Sequence, residues 1–209
     1  KASPFGKKES FFQKARNTLQ IFGLKFFLYY SWLFVKHTLM GNNPRTFLKK
    51  MGIPIIELDR NINHPESVAT IKRYEPDLLV SILGNQIFKD PIINLAPKGC
   101  INLHTALLPK YRGLMPTFWV LKNNESKTGV SVFFVDEGID SGPIIVQKEV
   151  EIGEKTQAEL IRETKRIGIE AVAEAIDLIA EDREELIPNP KEASTYFSFP
   201  KKEDVRAFK

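Results

Sequence analysis

Apolar and polar positions alternate along residues 44–188 in the way that is typical of an α/β protein. Short apolar runs predict strands over residues 53–58, 77–83, 100–103, 130–135 and 143–150. Amphipathic segments predict helices over residues 46–50, 63–74, 87–95, 116–122 and 156–181. The run 77–83 is nearly continuously apolar, which predicts a central parallel strand covered on both faces.

The last predicted helix has a clear start signal. Thr156 is followed three residues later by Glu159, the capping-box pattern that satisfies the first backbone N–H groups of a helix. Five residues are predicted to line its buried face: Leu160, Ile167, Val172, Ile176 and Ile179. After Pro188 the chain leaves the predicted domain, and residues 196–200 are expected to dock on it or to extend from it.

The amino-terminal segment has a different character, because aromatic and aliphatic runs are interrupted there by basic residues. It is too polar for a spanning helix, which needs about 20 apolar residues. Two helices separated near Gly23 fit the pattern better. We expect residues 11–40 to pack on the sheet or against a second subunit in a homodimer. An interfacial helix on a membrane surface is the alternative, and a transmembrane span is a third.

The composition is that of an ordinary globular protein. The 209 residues fit one domain, 43% are hydrophobic and 27% are charged. A net charge of +4 permits an anionic ligand without indicating one, and nucleic acid is not the favoured partner. Cys100 is the single cysteine, so an intrachain disulfide is excluded and a reducing, cytoplasmic location is expected. Its apolar neighbours favour inert packing over a nucleophilic role, and no metal site is predicted.

Candidate chemistry is concentrated between Gly99 and Gly142. Asn102 and His104 are two residues apart at the end of an apolar run, so a strand would place both side chains on one face. The next strand-like run leads into a glycine-framed turn that carries Asp136 and Asp140. An amide, an imidazole and a carboxylate can therefore converge at one edge of a sheet, which suits acyl-type transfer. The Asn-x-His pair alone is weak support.

Other enzyme classes fit less well. The chain has no Gly-x-Ser-x-Gly elbow, which disfavours a serine hydrolase, and no Gly-x-Gly-x-x-Gly fingerprint, which disfavours a Rossmann dehydrogenase. A metal-dependent phosphoesterase using His104, Asp136 and Asp140 stays open as an alternative.

Residues 51–150 resemble the folate-dependent formyltransferase family, most densely over 100–112 and 128–142. This family includes the methionyl-tRNA, glycinamide-ribonucleotide and sugar-nucleotide N-formyltransferases. The resemblance implies a Rossmann-like, mostly parallel sheet with helices on both faces. It also implies a catalytic trio of Asn102, His104 and Asp140, with 10-formyltetrahydrofolate as the formyl donor and no metal.

The resemblance also locates a slot for the pterin ring of the donor. Its expected lining is Asn85, Gln86, Ile87, Phe88, Ala106, Leu107, Leu108, Pro109 and the turn at Asp136. For the apolar members, plain core packing is an equal alternative, and Asp136 is expected mainly to shape its loop. Lys110 and Arg112 are candidates for holding an anionic group of a substrate, with solvated loop charges as the alternative.

Three segments are predicted: an aromatic-rich helical segment over 1–46, a catalytic α/β domain over 47–188 and a tail over 189–209. Nothing in the first segment reads like the opening strand of the family fold, so we expect a fragment or a chain that has lost its first strand. Only a short tail follows the domain, whereas the methionyl-tRNA enzymes carry a tRNA-binding barrel there.

We therefore expect the acceptor to be a small primary amine, for example an amino sugar on a nucleotide carrier. Formylation of methionyl-tRNA is the alternative, so tRNA is not excluded. A hydrolase of 10-formyltetrahydrofolate would use the same trio with water. A module that binds folate or a partner without turnover is the non-enzymatic alternative.

Overall fold

The computed structural model describes residues 11–39, 44–82, 84 and 86–208. The chain forms two compact units: residues 60–199 make up one, and residues 1–59 with 200–209 make up the other. The segment boundaries predicted at residues 46 and 188 stay a prediction.

The described elements follow the alternating order expected of the sequence. The helices are α1 (Phe11–Leu39), α2 (Pro44–Lys50), α3 (Pro65–Lys72), α4 (Asp90–Ile93), α5 (Pro116–Lys122), α6 (Gln157–Ala180) and α7 (Lys202–Ala207). The strands are β1 (Leu79–Ile82), β2 (Cys100–His104), β3 (Arg112–Gly113), β4 (Lys127–Phe134), β5 (Ile144–Glu151) and β6 (Tyr196–Phe197).

The amino-terminal unit is built on α1, which is interrupted at Gly23. That residue has φ 84° and ψ 173°, a conformation outside the helical region, so the prediction of two helices separated there is confirmed. Helix α7 packs against α1. Helix α2 ends just before Gly52, whose φ of 68° lies in the region that favours glycine. Among the described residues, no helix is long and apolar enough to cross a bilayer.

The strand predicted over residues 53–58 is wrong. The segment pairs with no other segment in the part of the chain that the structure describes, and Ile53, Ile55 and Ile56 are exposed. A strand exists only where a neighbour accepts its backbone hydrogen bonds, and apolar content alone does not supply that neighbour. Pro54 also lacks the N–H group that a central ladder position requires.

The central sheet has the order β1-β2-β4-β5. β1 runs parallel to β2, whereas β4 is antiparallel to both of its neighbours, and β3 and β6 form a separate parallel pair. The α/β class is confirmed, with parallel pairing at the β1 side of the sheet. The central position predicted for residues 77–83 is wrong: β1 is the edge strand among the described ones. Val80 and Ile82 on it are 41% and 48% exposed because only β2 pairs with it.

Helix α6 covers one face of this sheet. Ile101 of β2 belongs to the core cluster under α6, and Leu103 packs against that cluster. The approach is close at Gly168, where a Cβ would lie 2.8 Å from a methyl carbon of Leu103. Side chains alternate along a strand, so Asn102 and His104 lie on the opposite face of β2.

The predicted helix face of α6 is largely confirmed. Leu160, Val172 and Ile179 are buried, and Ile167 packs against the core from a half-buried position. Ile176 is a correction, since it is 37% exposed and Ala171 and Ala175 occupy the contact instead. Small residues there let the helix approach the sheet closely, so a large side chain beside them is left outside.

The remaining predicted helices are also found, and most of them begin or end at other residues than expected. α3 begins at Pro65, two residues after the predicted start, and stops at Lys72, and Glu75 beyond it has φ 45°. α4 is shorter than the helix predicted over 87–95, and α5 has the predicted bounds. The tail docks: β6 pairs with β3.

The capping box of α6 gives a test of local stability. The Thr156 side chain accepts the N–H of Glu159, and the Glu159 carboxylate accepts the N–H of Thr156 at 2.8 Å. We expect Thr156→Ala to lower the free energy of unfolding by about 1 kcal/mol, measured by urea denaturation. Thr156→Ser keeps the hydroxyl and should stay near wild type. Equal losses in both variants would contradict the cap.

Candidate active site

Two candidate side chains come from β2, at the end of the strand where the chain enters an irregular loop. Asn102 pairs with Ser81 of β1 and Phe133 of β4, and His104 pairs with Ser131 of β4. Asn102 is half-buried, and its side chain makes no hydrogen bond within the described part of the chain. Its amide is therefore available to a bound molecule.

The imidazole of His104 is held by a backbone carbonyl. His104 is 6% exposed, and its Nε2 lies 2.7 Å from the carbonyl oxygen of Tyr111. A carbonyl oxygen only accepts, so Nε2 carries a proton and donates it. Nδ1 is then the nitrogen that can take up or release a proton. Tyr111 has φ 58°, a strained conformation that turns its carbonyl toward the ring.

Asp140 faces that free nitrogen. One carboxylate oxygen, Oδ2, lies 3.6 Å from Nδ1 of His104, and the two side chains are 14% and 7% exposed. The same oxygen accepts the backbone N–H of Gly113 at 2.8 Å. Asp140 has φ 49°, so its backbone lies in the left-handed region. The pair predicted from the sequence is thus brought together in space, with Asn102 on the same strand face as His104.

The turn that carries Asp140 is braced from inside. Asp136 accepts the N–H of Gly138 at 3.0 Å and the hydroxyl of Ser141 at 2.6 Å. These hydrogen bonds are those of a loop-shaping residue. At Gly142 a Cβ would collide with the carbonyl oxygen of Phe134, so any larger residue would displace the turn.

Asn189, which sequence reasoning missed, clamps the same turn from the tail. Its Nδ2 donates to the carbonyl oxygens of Asp140 at 3.0 Å and Gly142 at 2.8 Å. Arg112 in turn donates through one terminal nitrogen to the Asn189 carbonyl at 3.0 Å and to its Oδ1 at 2.8 Å. The only signal in the sequence was its place between Pro188 and Pro190.

Arg112 therefore has partners that differ from those expected. It is 7% exposed and serves Asn189, and its Nε has no hydrogen-bond partner among the described residues. A buried guanidinium that already holds a structural amide has little reach for the anionic group of a substrate. We assign Arg112 to the support of the Asp140 turn.

The tail also holds the loop that carries Tyr111. The N–H of Tyr111 donates to the Thr195 hydroxyl at 2.8 Å, and the ring of Tyr111 stacks on Phe197 at 5.2 Å. Trp119 stacks on the same Phe197 ring at 4.8 Å. The segment 195–197 thus fixes the residues that hold His104 and Asp140, although its sequence carries no catalytic motif.

The loop after β2 is tied to the sheet through one buried serine. Ser131 donates to the Ala106 carbonyl at 2.8 Å and accepts the N–H of Leu108 at 3.1 Å. Gln147 reaches the same hydroxyl at 2.8 Å and the Leu108 carbonyl at 2.9 Å. Ala106 and Leu108 are buried, Pro109 is half-buried, and the Leu108–Pro109 peptide bond is cis. A polar residue within the apolar run 130–135 was the signal for Ser131.

A second predicted loop lies after β1. Gln86 is half-buried and accepts the N–H of Ile62 at 2.8 Å, and Ile87 is 62% exposed. The side chain of Asn63 donates to the Ile87 carbonyl at 2.8 Å and accepts the N–H of Lys89 at 2.8 Å. Phe88 is half-buried, and Asn85 lies outside the described residues.

Lys110 and Leu107 lie side by side in a small depression of the surface. Its other walls are Tyr111, Val120, Glu125, Lys127 and Thr128. The Tyr111 hydroxyl donates to Glu125 at 2.6 Å there, and burial with this carboxylate raises the pKa of Tyr111 to about 12. Its phenol is a structural donor at neutral pH.

The remaining candidates are a nucleophilic cysteine and a metal site. Burial raises the pKa of the Cys100 thiol to about 11, which keeps it protonated and unreactive near neutral pH. In the described ranges, no group of three His, Cys, Asp or Glu residues is placed to hold a metal ion.

The comparison with known proteins decides the family. A family model described as formyl transferase matches residues 42–176, more than half of the chain. The chain belongs to the formyl transferase family. The match covers β1, β2, β4, β5 and most of α6, and so includes all three members of the trio.

Individual relatives extend this result. A methionyl-tRNA formyltransferase from Acetivibrio thermocellus is 34% identical over 153 residues, which are 73% of this chain and 49% of that protein. The chain therefore spans about half the length of the curated relatives it matches.

Solved structures give the same fold. A sugar N-formyltransferase from Shewanella sp is 26% identical with a TM-score of 0.58, covering 67% of this chain and 55% of that one. The formyltransferase PseJ from Anoxybacillus kamchatkensis is 26% identical with a TM-score of 0.54, covering 70% and 71%. It was solved in complex with UDP-4,6-dideoxy-4-formamido-L-AltNAc and tetrahydrofolate.

The Asn189 clamp gives a prediction about positioning. Without its amide, the Asp140 turn loses two hydrogen bonds while the residues of the trio stay in the chain. If the trio catalyses the formyl transfer proposed below, Asn189→Ala should lower kcat by about tenfold to a hundredfold with KM for the donor nearly unchanged, since small displacements of reacting groups are costly. Steady-state kinetics measure both constants.

The matched control is Asn94→Ala, which removes an exposed amide that donates a hydrogen bond to Asp90 at 3.3 Å. It should leave kcat unchanged. A loss of kcat in the control, or a wild-type kcat in Asn189→Ala, would contradict the positioning role.

Proposed function

We propose that this protein transfers the formyl group of 10-formyltetrahydrofolate to a primary amine of a small substrate. The observation that carries the proposal is that Asn102 lies on the same face of β2 as His104, whose ring meets Asp140. The Asn102 amide has no hydrogen bond among the described residues. Membership of the formyl transferase family supports it.

The reaction begins when the amine nitrogen attacks the formyl carbon. The carbon becomes tetrahedral, its oxygen takes negative charge, and the amine nitrogen must lose a proton. A side-chain amide that donates a hydrogen bond to such an oxygen lowers the activation barrier by about 3–4 kcal/mol. Asn102 supplies that amide through its Nδ2.

His104 handles the proton. Its Nε2 is committed to the Tyr111 carbonyl, so Nδ1 is the atom that exchanges protons with the attacking and leaving nitrogens. Asp140 lies 3.6 Å from Nδ1 and orients the ring while the charge on it changes. The proton leaves the attacking amine and ends on the nitrogen of the departing tetrahydrofolate, so the ring of His104 is regenerated in each cycle.

The donor fits a slot bordered by residues 86–88, 106–109 and 135–140. The segments after β1 and β2 follow the carboxyl ends of two parallel strands, where open α/β sheets bind ligands. β4 is antiparallel to β2, and the turn after it reaches the site through the contact between Asp140 and His104. The backbone groups of the loops present hydrogen-bonding edges, and Ile87 contributes an exposed apolar side chain. The tetrahydrofolate in the Anoxybacillus structure is consistent with such a donor.

For the acceptor we favour an amino sugar carried on a nucleotide. The Shewanella sugar N-formyltransferase supports this choice, as does the UDP-linked formamido sugar bound in the Anoxybacillus structure. The methionyl-tRNA formyltransferase relative, at 34% identity, supports methionyl-tRNA as a second candidate.

Substitution of the trio tests the chemistry. With 10-formyltetrahydrofolate and an accepted amine, Asn102→Ala should lower kcat by about a hundredfold to a thousandfold. His104→Ala and Asp140→Ala should each abolish turnover, while the far-ultraviolet circular dichroism stays that of the wild type.

The matched control for His104 is His64→Ala. His64 caps α3 by accepting the N–H of Glu66 at 3.3 Å and makes no contact with the trio. Full-rate turnover by His104→Ala would overturn the mechanism, as would equal loss in His64→Ala.

A comparison of acceptors tests the substrate class. We expect nucleotide-linked amino sugars to be formylated with a kcat/KM at least tenfold above that for methionyl-tRNA, followed by release of tetrahydrofolate. A kcat/KM that is higher for methionyl-tRNA would identify methionyl-tRNA as the acceptor. Release of formate without added amine would indicate a hydrolase, and donor binding without turnover would indicate a binding module.

A further inference from the structure

The amino-terminal unit carries an exposed apolar stripe on the second half of α1, after the break at Gly23. Leu24, Leu28, Trp32 and Val35 are 61%, 57%, 58% and 51% exposed. Their spacing of four, four and three residues places them on one face of a helix. We call this set the Trp32 stripe. Side chains of this size are not usually left this exposed together on a surface that meets only water.

Basic side chains border the stripe. Lys25 and Lys36 are exposed on its flank, and the Lys36 ammonium lies 5.0 Å from the centre of the Trp32 ring. Tyr29, also on that flank, is 48% exposed. Trp and Tyr with an apolar body and a polar edge, beside Lys with a long stem, are the residues that fit a membrane–water interface.

The charged residues of the segment that carries the stripe all have one sign. Residues 11–56 contain seven Lys and Arg residues and no Asp or Glu. Among the other cations of this unit, Arg45 pairs with Glu57, so part of the positive charge is neutralised locally. Lys25 and Lys36 have no ion-pair partner among the described residues. An anionic surface complements this segment.

We propose that the Trp32 stripe docks on the surface of a bilayer that contains anionic phospholipids. The four apolar side chains enter the boundary between headgroups and acyl chains, and the two lysines meet lipid phosphates. The helix lies on the membrane, in keeping with its mixed composition. Two copies of the protein meeting through this face would bring two positive segments together, which charge repulsion opposes.

Vesicle binding by the full chain tests the proposal. The protein should sediment with vesicles of phosphatidylcholine mixed with phosphatidylglycerol and not with phosphatidylcholine alone. High salt should weaken the binding, because charges on the membrane surface are screened within about 3 Å at 1 M. The emission of Trp32 should shift to shorter wavelength on binding. Trp119, the second tryptophan, is buried and should not respond.

Two pairs of variants separate the contributions. Lys25→Glu/Lys36→Glu should weaken binding at least tenfold, since each cation near an anionic surface is worth a factor of about five. Its matched control is Arg162→Glu/Lys165→Glu, the same charge change on exposed residues of α6. Leu28→Ser/Trp32→Ser should also weaken binding at least tenfold. Its control is Ile169→Ser/Leu186→Ser, at residues that are 64% and 50% exposed.

The proposal fails if the wild type does not sediment with the mixed vesicles, or if each control loses as much binding as its partner variant. It also fails if the stripe variants instead abolish a concentration-dependent dimer, or the binding of tRNA, that forms without vesicles. Circular dichroism and cooperative unfolding check that every variant is folded. None of these readouts depends on formyl transfer, so membrane binding and the proposed enzymatic function are tested independently.

Discussion

The hydrogen bond between Nε2 of His104 and the carbonyl of Tyr111 is the contact on which the candidate site depends. It fixes which nitrogen carries the proton and aims the other one at Asp140. Tyr111 presents this carbonyl from a backbone in the left-handed region, with φ 58°. A strained residue persists when its surroundings determine its position, and here they do so from the tail side.

The site is consequently assembled from segments that are far apart in the sequence of its compact unit. Residues 111–113 hold the imidazole and the carboxylate, and residues 195–197 hold 111–113 through a short parallel ladder and ring stacking on Phe197. Asn189 connects the same tail to the Asp140 turn. The tail therefore acts on the geometry of groups that it does not touch directly. This makes it a positioning element for a reaction in which small displacements are expensive.

The sequence predicted the parts of this arrangement that follow from local rules. Alternation in β2 put Asn102 and His104 on one face, glycines framed the Asp140 turn, and Thr156 with Glu159 opened α6. Predictions from the sequence are wrong where the structure depends on contacts between segments that are distant along the chain. The apolar run 53–58 has no ladder neighbour, β1 lies at an edge among the described strands, and Ile176 is displaced by smaller neighbours. Arg112, a candidate for holding an anionic group of a substrate, is buried against Asn189, and nothing local in the sequence marks a contact across 77 residues.

A crystal structure of the protein with 5-formyltetrahydrofolate, an analogue of the formyl donor, tests most directly whether Asn102, His104 and Asp140 meet around the formyl group. The pterin is expected to lie between the loops after β1, β2 and β4. The formyl group should lie within hydrogen-bonding distance of the Asn102 amide and close to Nδ1 of His104, with the Tyr111 contact intact. A folate bound elsewhere, or a His104 ring turned away from both Tyr111 and Asp140, would contradict this arrangement.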